Sequence, residues 1–198
     1  MQTAQTTSPI ASVVLTAQST FRKVMDATAR PGLIQTVAAG AAAPSPLAAA
    51  AAAIALTLCD HDTPVWLDPS FATEAVTQWL RFSTGCPIVN DPAQSAFALA
   101  GDMASLPQLE RFALGTPDYP DRSTTLILQL ASLTEGEALG LSGPGIRDTA
   151  SLAPKGLPQD FVEQLAANRA LFPRGVDVLL VAGDDIAALP RTTIVARA

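Results

Sequence analysis

Val176-Asp177-Val178-Leu179-Leu180-Val181-Ala182 decides the architecture. A continuous apolar run without polar alternation marks a strand inside a sheet, covered on both faces. Just upstream, Gln159 to Leu171 has helical periodicity that Pro173 and Gly175 end, and just downstream Thr192 to Ala196 follows Pro190 and reads as an edge strand. Farther back, Thr124 to Ala131 and Ala138 to Leu141 read as two strands around Glu135-Gly136, a candidate hairpin. Gly143-Pro144-Gly145 is a turn and Asp148 to Pro158 a loop.

The N-terminal half repeats the alternation. Ser8-Pro9 can cap and start a helix whose apolar positions Ile10, Val13, Val14, Phe21, Val24 and Met25 run to the stop at Pro31-Gly32, with a possible break near Ser19. Leu33 to Val37 reads as a short strand, Ala38 to Pro46 as a small-residue loop, and Ser45-Pro46 as the start signal for an alanine-rich helix, Leu47 to Leu58. Thr63 to Leu67 and Ala96 to Ala100 have strand composition, Ser70 can cap a helix running to Phe82, Ser105 to Phe112 suggests a short helix, and Gly115 to Arg122 is a loop. Strand and helix alternate along most of the chain, which predicts a single α/β domain over residues 1–198 with helix, sheet and helix in three layers.

Composition narrows the function classes. Charged residues make up only 15% of the chain against 48% hydrophobic ones, which hints at surface covered by partners, although many of the apolar residues are small alanines. The net charge is -6, and Lys23 and Lys155 are the only lysines, so no basic stripe is available for nucleic acid or an anionic membrane. Arginine supplies the remaining cations, and its fork suits carboxylate or phosphate contacts. Cys59 and Cys86 stand apart without a CxxC pair, as free thiols of a reducing cytoplasm do. The longest apolar stretch, Leu47 to Leu58, is too short to cross a bilayer, and Met1 to Ala17 lacks the basic start of a secretory signal.

No catalytic constellation stands out. The sole histidine, His61, sits between Asp60 and Asp62 just before a strand, where a base or phosphate donor would be exposed; either carboxylate, if close, would raise its pKa. A plain helix-to-strand turn is the blander reading of the same residues. One histidine and two scattered cysteines cannot assemble a structural zinc set, and the chain contains no GxSxG, GxxxxGK[ST] or GxGxxG. Arg22, Asp26 and Arg30 recur every four residues on one helix face, either as a solvated ion-pair stripe or as a contact for an anion or subunit. Arg81, Arg174 and Arg191 lie beside turns, where a guanidinium can point into a cleft or simply into water.

Seven segments, read in order, resemble one family: Phe21 to Gly32, Leu58 to Leu67 (LCDHDTPVWL), Leu80 to Thr84, Thr124 to Leu133 (TTLILQLASL), Leu141 to Ile146 (LSGPGI), Phe172 to Asp177 and Ile186 to Thr193. Together they resemble the H-subunit family of the bacterial carbon-phosphorus lyase core complex. The resemblance implies a mixed sheet in a fold similar to the large domain of pyridoxal-phosphate-dependent transferases, with the cofactor site lost. It also implies a homodimer assembled with subunits G, I and J. The implied reaction is attack of an alkylphosphonate on ribose C1 of a purine nucleoside triphosphate, giving ribose 1-alkylphosphonate 5-triphosphate. The iron-sulfur cluster and S-adenosylmethionine belong to another subunit, J, which fits a chain with two cysteines. Neither Lys23 nor Lys155 has the setting of a Schiff-base lysine, so no pyridoxal phosphate is expected. The sequence departs from the family at Arg81-Phe82-Ser83-Thr84, where some relatives carry a histidine in place of Ser83, and no acid-base role is carried onto that position. The expected ligand or interface groups are Arg22, Asp26, Arg30, His61, Asp62 and Arg191, with no catalytic residue assigned. A purely structural dimer and a free-standing transferase-fold enzyme are the alternatives.

Overall fold

The computed structural model describes residues 9–37 and 43–198. The Ser8 cap and most of the Ala38 to Pro46 loop lie outside the described residues. In chain order the elements are α1 (Pro9–Ala29), β1 (Gln35–Thr36), α2 (Ala49–Leu58), β2 (Val65–Leu67), α3 (Glu74–Thr84), β3 (Ile88–Val89), β4 (Phe97–Ala100), β5 (Thr125–Gln129), β6 (Leu139–Ser142), β7 (Ala150–Leu152), α4 (Phe161–Ala170), β8 (Asp177–Ala182), β9 (Asp185–Leu189) and β10 (Ile194–Arg197). Short 3-10 turns fill Pro92–Gln94 and Leu109–Arg111.

The apolar run is a central strand, as expected. A seven-stranded sheet has the order β1-β9-β8-β5-β4-β2-β3, with β2, β3, β4, β5 and β8 parallel and β9 antiparallel to both of its neighbours. The sheet is therefore mixed. On β8, Leu179 and Val181 face one hydrophobic cluster while Val178 and Leu180 face another, so both sides of the strand are buried. The first cluster is roofed by α1, α2 and α3. Ala50 to Ala55 in α2, five alanines and Ile54, are all buried, because the helix is wedged between two others and a sheet.

The second face differs from expectation. Instead of a helical layer, α4 shares it with a three-stranded antiparallel sheet, β10-β6-β7. The predicted hairpin of Thr124 to Ala131 with Ala138 to Leu141 is not formed: β5 lies in the large sheet and β6 in the small one. Leu130, Leu133 and Leu139 are buried in the second cluster, and that burial carries the chain across from sheet to sheet. The strand Thr192 to Ala196 is an edge strand, but of the small sheet, where β10 pairs with β6.

Local chemistry explains other shifts. Thr73, not Ser70, caps α3 by accepting from the Val76 amide at 3.2 Å, and Gly85 closes that helix at φ 77. Ser45-Pro46 does not start α2; Ala48 precedes it, and the side-chain oxygen of Gln129 accepts the Ala48 amide at 2.7 Å. Ser105 to Phe112 yields only the 3-10 turn, and α1 runs unbroken through Ser19. β3, β7 and β9 were not expected as strands.

Candidate functional site

Three places hold the sequence-predicted residues, and they do not merge. The first is the turn between α2 and β2. Asp60 accepts from the Asp62 amide at 2.9 Å and Thr63 closes the turn onto the Asp60 amide at 2.6 Å, so local hydrogen bonding shapes it. His61 Nε2 lies 3.3 Å from Asp62 Oδ2, with both side chains about four-fifths exposed (79% and 82%). Such a pair stands in water and contributes little energy. A Cβ on Gly85 would lie 3.6 Å from that of His61, so the end of α3 backs this turn, with the Phe82 ring 95% exposed nearby in the helix.

The second place is the outer face of α1. Arg30 pairs with Asp26 at 3.0 Å, both exposed. Arg22 has no ion pair among the described residues and lines a shallow groove with Ala17, Gln18, Phe21 and Thr57. The expected stripe is thus half paired.

Arg191, expected as a ligand or interface group, forms the third place, and its guanidinium is engaged by the chain itself. Its Nε donates to both Asp177 oxygens at 3.2 Å, Nη1 to the carbonyls of Pro120 (2.9 Å) and Pro173 (3.1 Å), and Nη2 to Ser123 Oγ and Asp177 Oδ2. The Arg191 amide also donates to Asp177 at 2.8 Å. All five guanidinium donors are consumed by the chain itself, so this residue clamps three loops to the edge of β8 and has none left for a ligand.

Sequence reasoning missed what the clamp positions. The Gly143–Gly145 turn is pressed between the Thr192 loop and the end of α1: a Cβ on Gly143 would lie 3.1 Å from the Thr192 carbonyl, and one on Gly145 2.1 Å from the Ala29 carbonyl. Pro144 of that turn, Arg169 of α4, Phe172 and Thr192 line one concave pocket. Four of the segments quoted for the family resemblance therefore meet at this end of the molecule. Arg169 could have been noticed as a cation in the last turn of α4; Phe172 gave no signal apart from its Pro-Gly neighbours.

Asp68 was also missed. It is wholly buried after β2, and its carboxylate accepts from Ser70 Oγ (2.7 Å), the Phe71 amide (2.9 Å), the Gly101 amide (2.8 Å) and the Asp102 amide (2.7 Å). It stands beyond the carboxyl ends of β2 and β4, where open parallel sheets present ligands, but all four of these bonds knit loops together. Elsewhere, hydrogen bonds from Gln108 and Gln164 hold the Asp160 carboxyl below the usual carboxylate range. Burial pushes the Cys59 thiol far above its ordinary value, with Cys86 and Asp60 adding to the effect. Both cysteines are free and buried, which suits packing and not nucleophilic chemistry.

Lys23 donates to the Thr36 carbonyl, and Lys155 lies 3.8 Å from Glu135. Each ammonium is thus engaged by a group of the chain itself. Among the described residues no three His, Cys, Asp or Glu side chains gather as metal ligands, and no helix is long and apolar enough to cross a membrane.

A model of the family described as bacterial phosphonate metabolism protein (PhnH) matches residues 9–196. The chain is 46% identical over 183 residues, 92% of each chain, to the alpha-D-ribose 1-methylphosphonate 5-triphosphate synthase subunit PhnH of Rhizobium meliloti (strain 1021). It is 30% identical over 176 residues, 89% of this chain and 84% of the other, to the putative C-P lyase subunit protein HtxG of Stutzerimonas stutzeri. The family match runs from α1 into β10 and so takes in both sheets, the clamp and the pocket. With the family model matched over nearly the whole chain and a relative 46% identical across 92% of each chain, the conclusion is that the chain belongs to the bacterial phosphonate metabolism protein (PhnH) family.

Proposed function

We propose that this chain is a subunit of a carbon-phosphorus lyase core assembly. In that assembly it supports transfer of an alkylphosphonate to ribose C1 of a purine nucleoside triphosphate, giving ribose 1-alkylphosphonate 5-triphosphate. The observation that carries the reading is the 46% identity, over nearly the whole length of both chains, to a protein named as a subunit of the synthase. Two features of the fold support it. Among the described residues the hydroxyl-carboxylate pairs, such as Ser70 with Asp68 and Thr63 with Asp60, shape turns, in keeping with a chain that works alongside partners. Its exposed face carries large apolar side chains, Val13, Leu15, Phe21 and Met25 on α1 and Phe82 on α3, in the manner of a surface that other chains cover.

The same reading makes the chain a cytoplasmic homodimer that joins subunits G, I and J, over a fold related to the large domain of pyridoxal-phosphate transferases. It binds no pyridoxal phosphate, because both lysines are engaged at the surface. The iron-sulfur cluster and S-adenosylmethionine reside on another subunit.

Co-expression with subunits G, I and J, followed by size-exclusion chromatography and an assay of phosphonate-dependent purine release, tests this directly. Leaving out this chain is expected to lose the complete assembly and most of the release. Unchanged assembly and release without it would sink the subunit reading.

A further inference from the structure

We propose that the pocket between the Gly143–Gly145 turn and the end of α4 binds a nucleoside triphosphate, with its base against the Phe172 ring and a phosphate on the Arg169 guanidinium. The pocket is lined by Pro144, Arg169, Phe172 and Thr192. Phe172 is 64% exposed, an uncompensated position for a phenyl ring, and yet its backbone is held firmly. Its amide donates to the Arg169 carbonyl at 3.1 Å, the Arg174 amide donates to the Leu171 carbonyl at 3.0 Å, and Arg191 grips the Pro173 carbonyl at 3.1 Å. The opposite wall is equally fixed, since Pro144 sits on the turn trapped between the Ala29 and Thr192 carbonyls. A rigid aromatic platform lowers the ordering cost of stacking a planar ring.

Arg169 supplies the second half of the argument. The guanidinium groups of Arg30, Arg191 and Arg197 are paired with carboxylates, and that of Arg122 lies 4.3 Å above the Tyr119 ring. Arg169 has neither kind of partner among the described residues. Arg147 and Arg174, close in the chain to two walls of the pocket, lack ion pairs there as well, while Asp177 is spent on Arg191. In a protein of net charge -6, an arginine without a carboxylate partner thus lines the same pocket as an exposed phenyl ring. That combination fits an anion joined to an aromatic heterocycle, the ring taking the base face and the fork taking phosphate oxygens. The choice of a nucleotide over an acidic segment of a partner subunit rests on the proposed function, whose reaction handles a ribose 5-triphosphate.

The test is isothermal titration of MgATP, inorganic tripolyphosphate and adenosine into the full chain and into the assembly with its partner subunits, using Arg169→Gln and Phe172→Ala. Both side chains are exposed, so both variants are expected to melt within a few degrees of the parent. Each is expected to weaken MgATP binding about tenfold. Tripolyphosphate should be affected only by Arg169→Gln and adenosine only by Phe172→Ala. The proposal is overturned by absence of MgATP binding at millimolar concentration in both settings, or by variants that bind it like the parent. It is also overturned if the variants keep MgATP binding but lose partner subunits, which would make the pocket a protein contact. Binding that the variants lose, together with purine release that never needed this chain, would uphold the pocket and sink the subunit reading instead.

Discussion

Arg191 and Asp177 form a partly buried pair, with side chains 13% and 32% exposed, and the arginine also holds Pro120, Ser123 and Pro173. Replacing it by leucine keeps the packing volume but leaves the Asp177 carboxylate only the backbone amide of residue 191 and takes the guanidinium from two carbonyls and a hydroxyl. Arg191→Leu is expected to cost about 3 kcal/mol, read as a lower urea midpoint at unchanged slope. Because the clamp also fixes the Phe172 turn, the same variant should lose affinity for any ligand of that pocket. A second residue-scale expectation concerns pH. The Cys59 thiol is raised by burial, so the folded chain keeps its proton where the unfolded chain would lose it. The unfolded state then binds fewer protons above the ordinary thiol value of about 8.5, and stability falls as pH rises past that point. Cys59→Ala should flatten this alkaline decline in thermal melts between about pH 8 and 10 relative to the parent.

At the scale of elements, Gly145 is the joint between α1 and the small sheet. Its φ is +83, and a Cβ there would strike the Ala29 carbonyl. Gly145→Ala is expected to destabilise by about 3 kcal/mol and to speed amide exchange in the last turn of α1 and in β6 before elsewhere. The elements themselves were unevenly legible. The ends of α1 could be read because Pro31-Gly32 forces a stop, and β8 because a fully apolar strand has nowhere to sit but the middle of a sheet. The false hairpin shows the limit of turn chemistry: Glu135-Gly136 announces that the chain turns, but where it goes next depends on Leu130, Leu133 and Leu139 finding the second core. β9 was overlooked although Gly183-Asp184 is a two-residue hairpin connection between apolar runs. Of the six candidate residues, sequence placed His61, Asp62, Asp26 and Arg30 at the solvated sites where they are found. It could not foresee the fate of Arg191, whose acceptors lie 14 to 71 residues away in the chain.

The molecule as a whole divides its roles between ends and faces. The α1 side carries exposed apolar side chains, while the turn-rich end with Pro144 and Phe172 carries the pocket that Arg169 lines. The homodimer proposed above would cover the α1 face, and Phe21→Asp combined with Met25→Asp should shift sedimentation toward monomer while leaving the melting temperature within a few degrees. Their exposures, 48% and 51%, make the fold insensitive to the change. Unchanged sedimentation would locate the self-association elsewhere.

The strand order has a consequence for how a ribosome must deliver this protein. β9 lies between β1 and β8, pairing Gln35 with Ile186, so the N-terminal strand has no partner until nearly the whole chain has been translated. The small sheet waits too, since β6 is joined by β10. Throughout synthesis the nascent α1 would trail an unpaired strand and an apolar face, which is what trigger-type chaperones and quality-control proteases recognise. A nonsense or frameshift lesion just ahead of Asp185 would thus leave both sheets incomplete, and such a product should be cleared before its missing residues could affect any assembly.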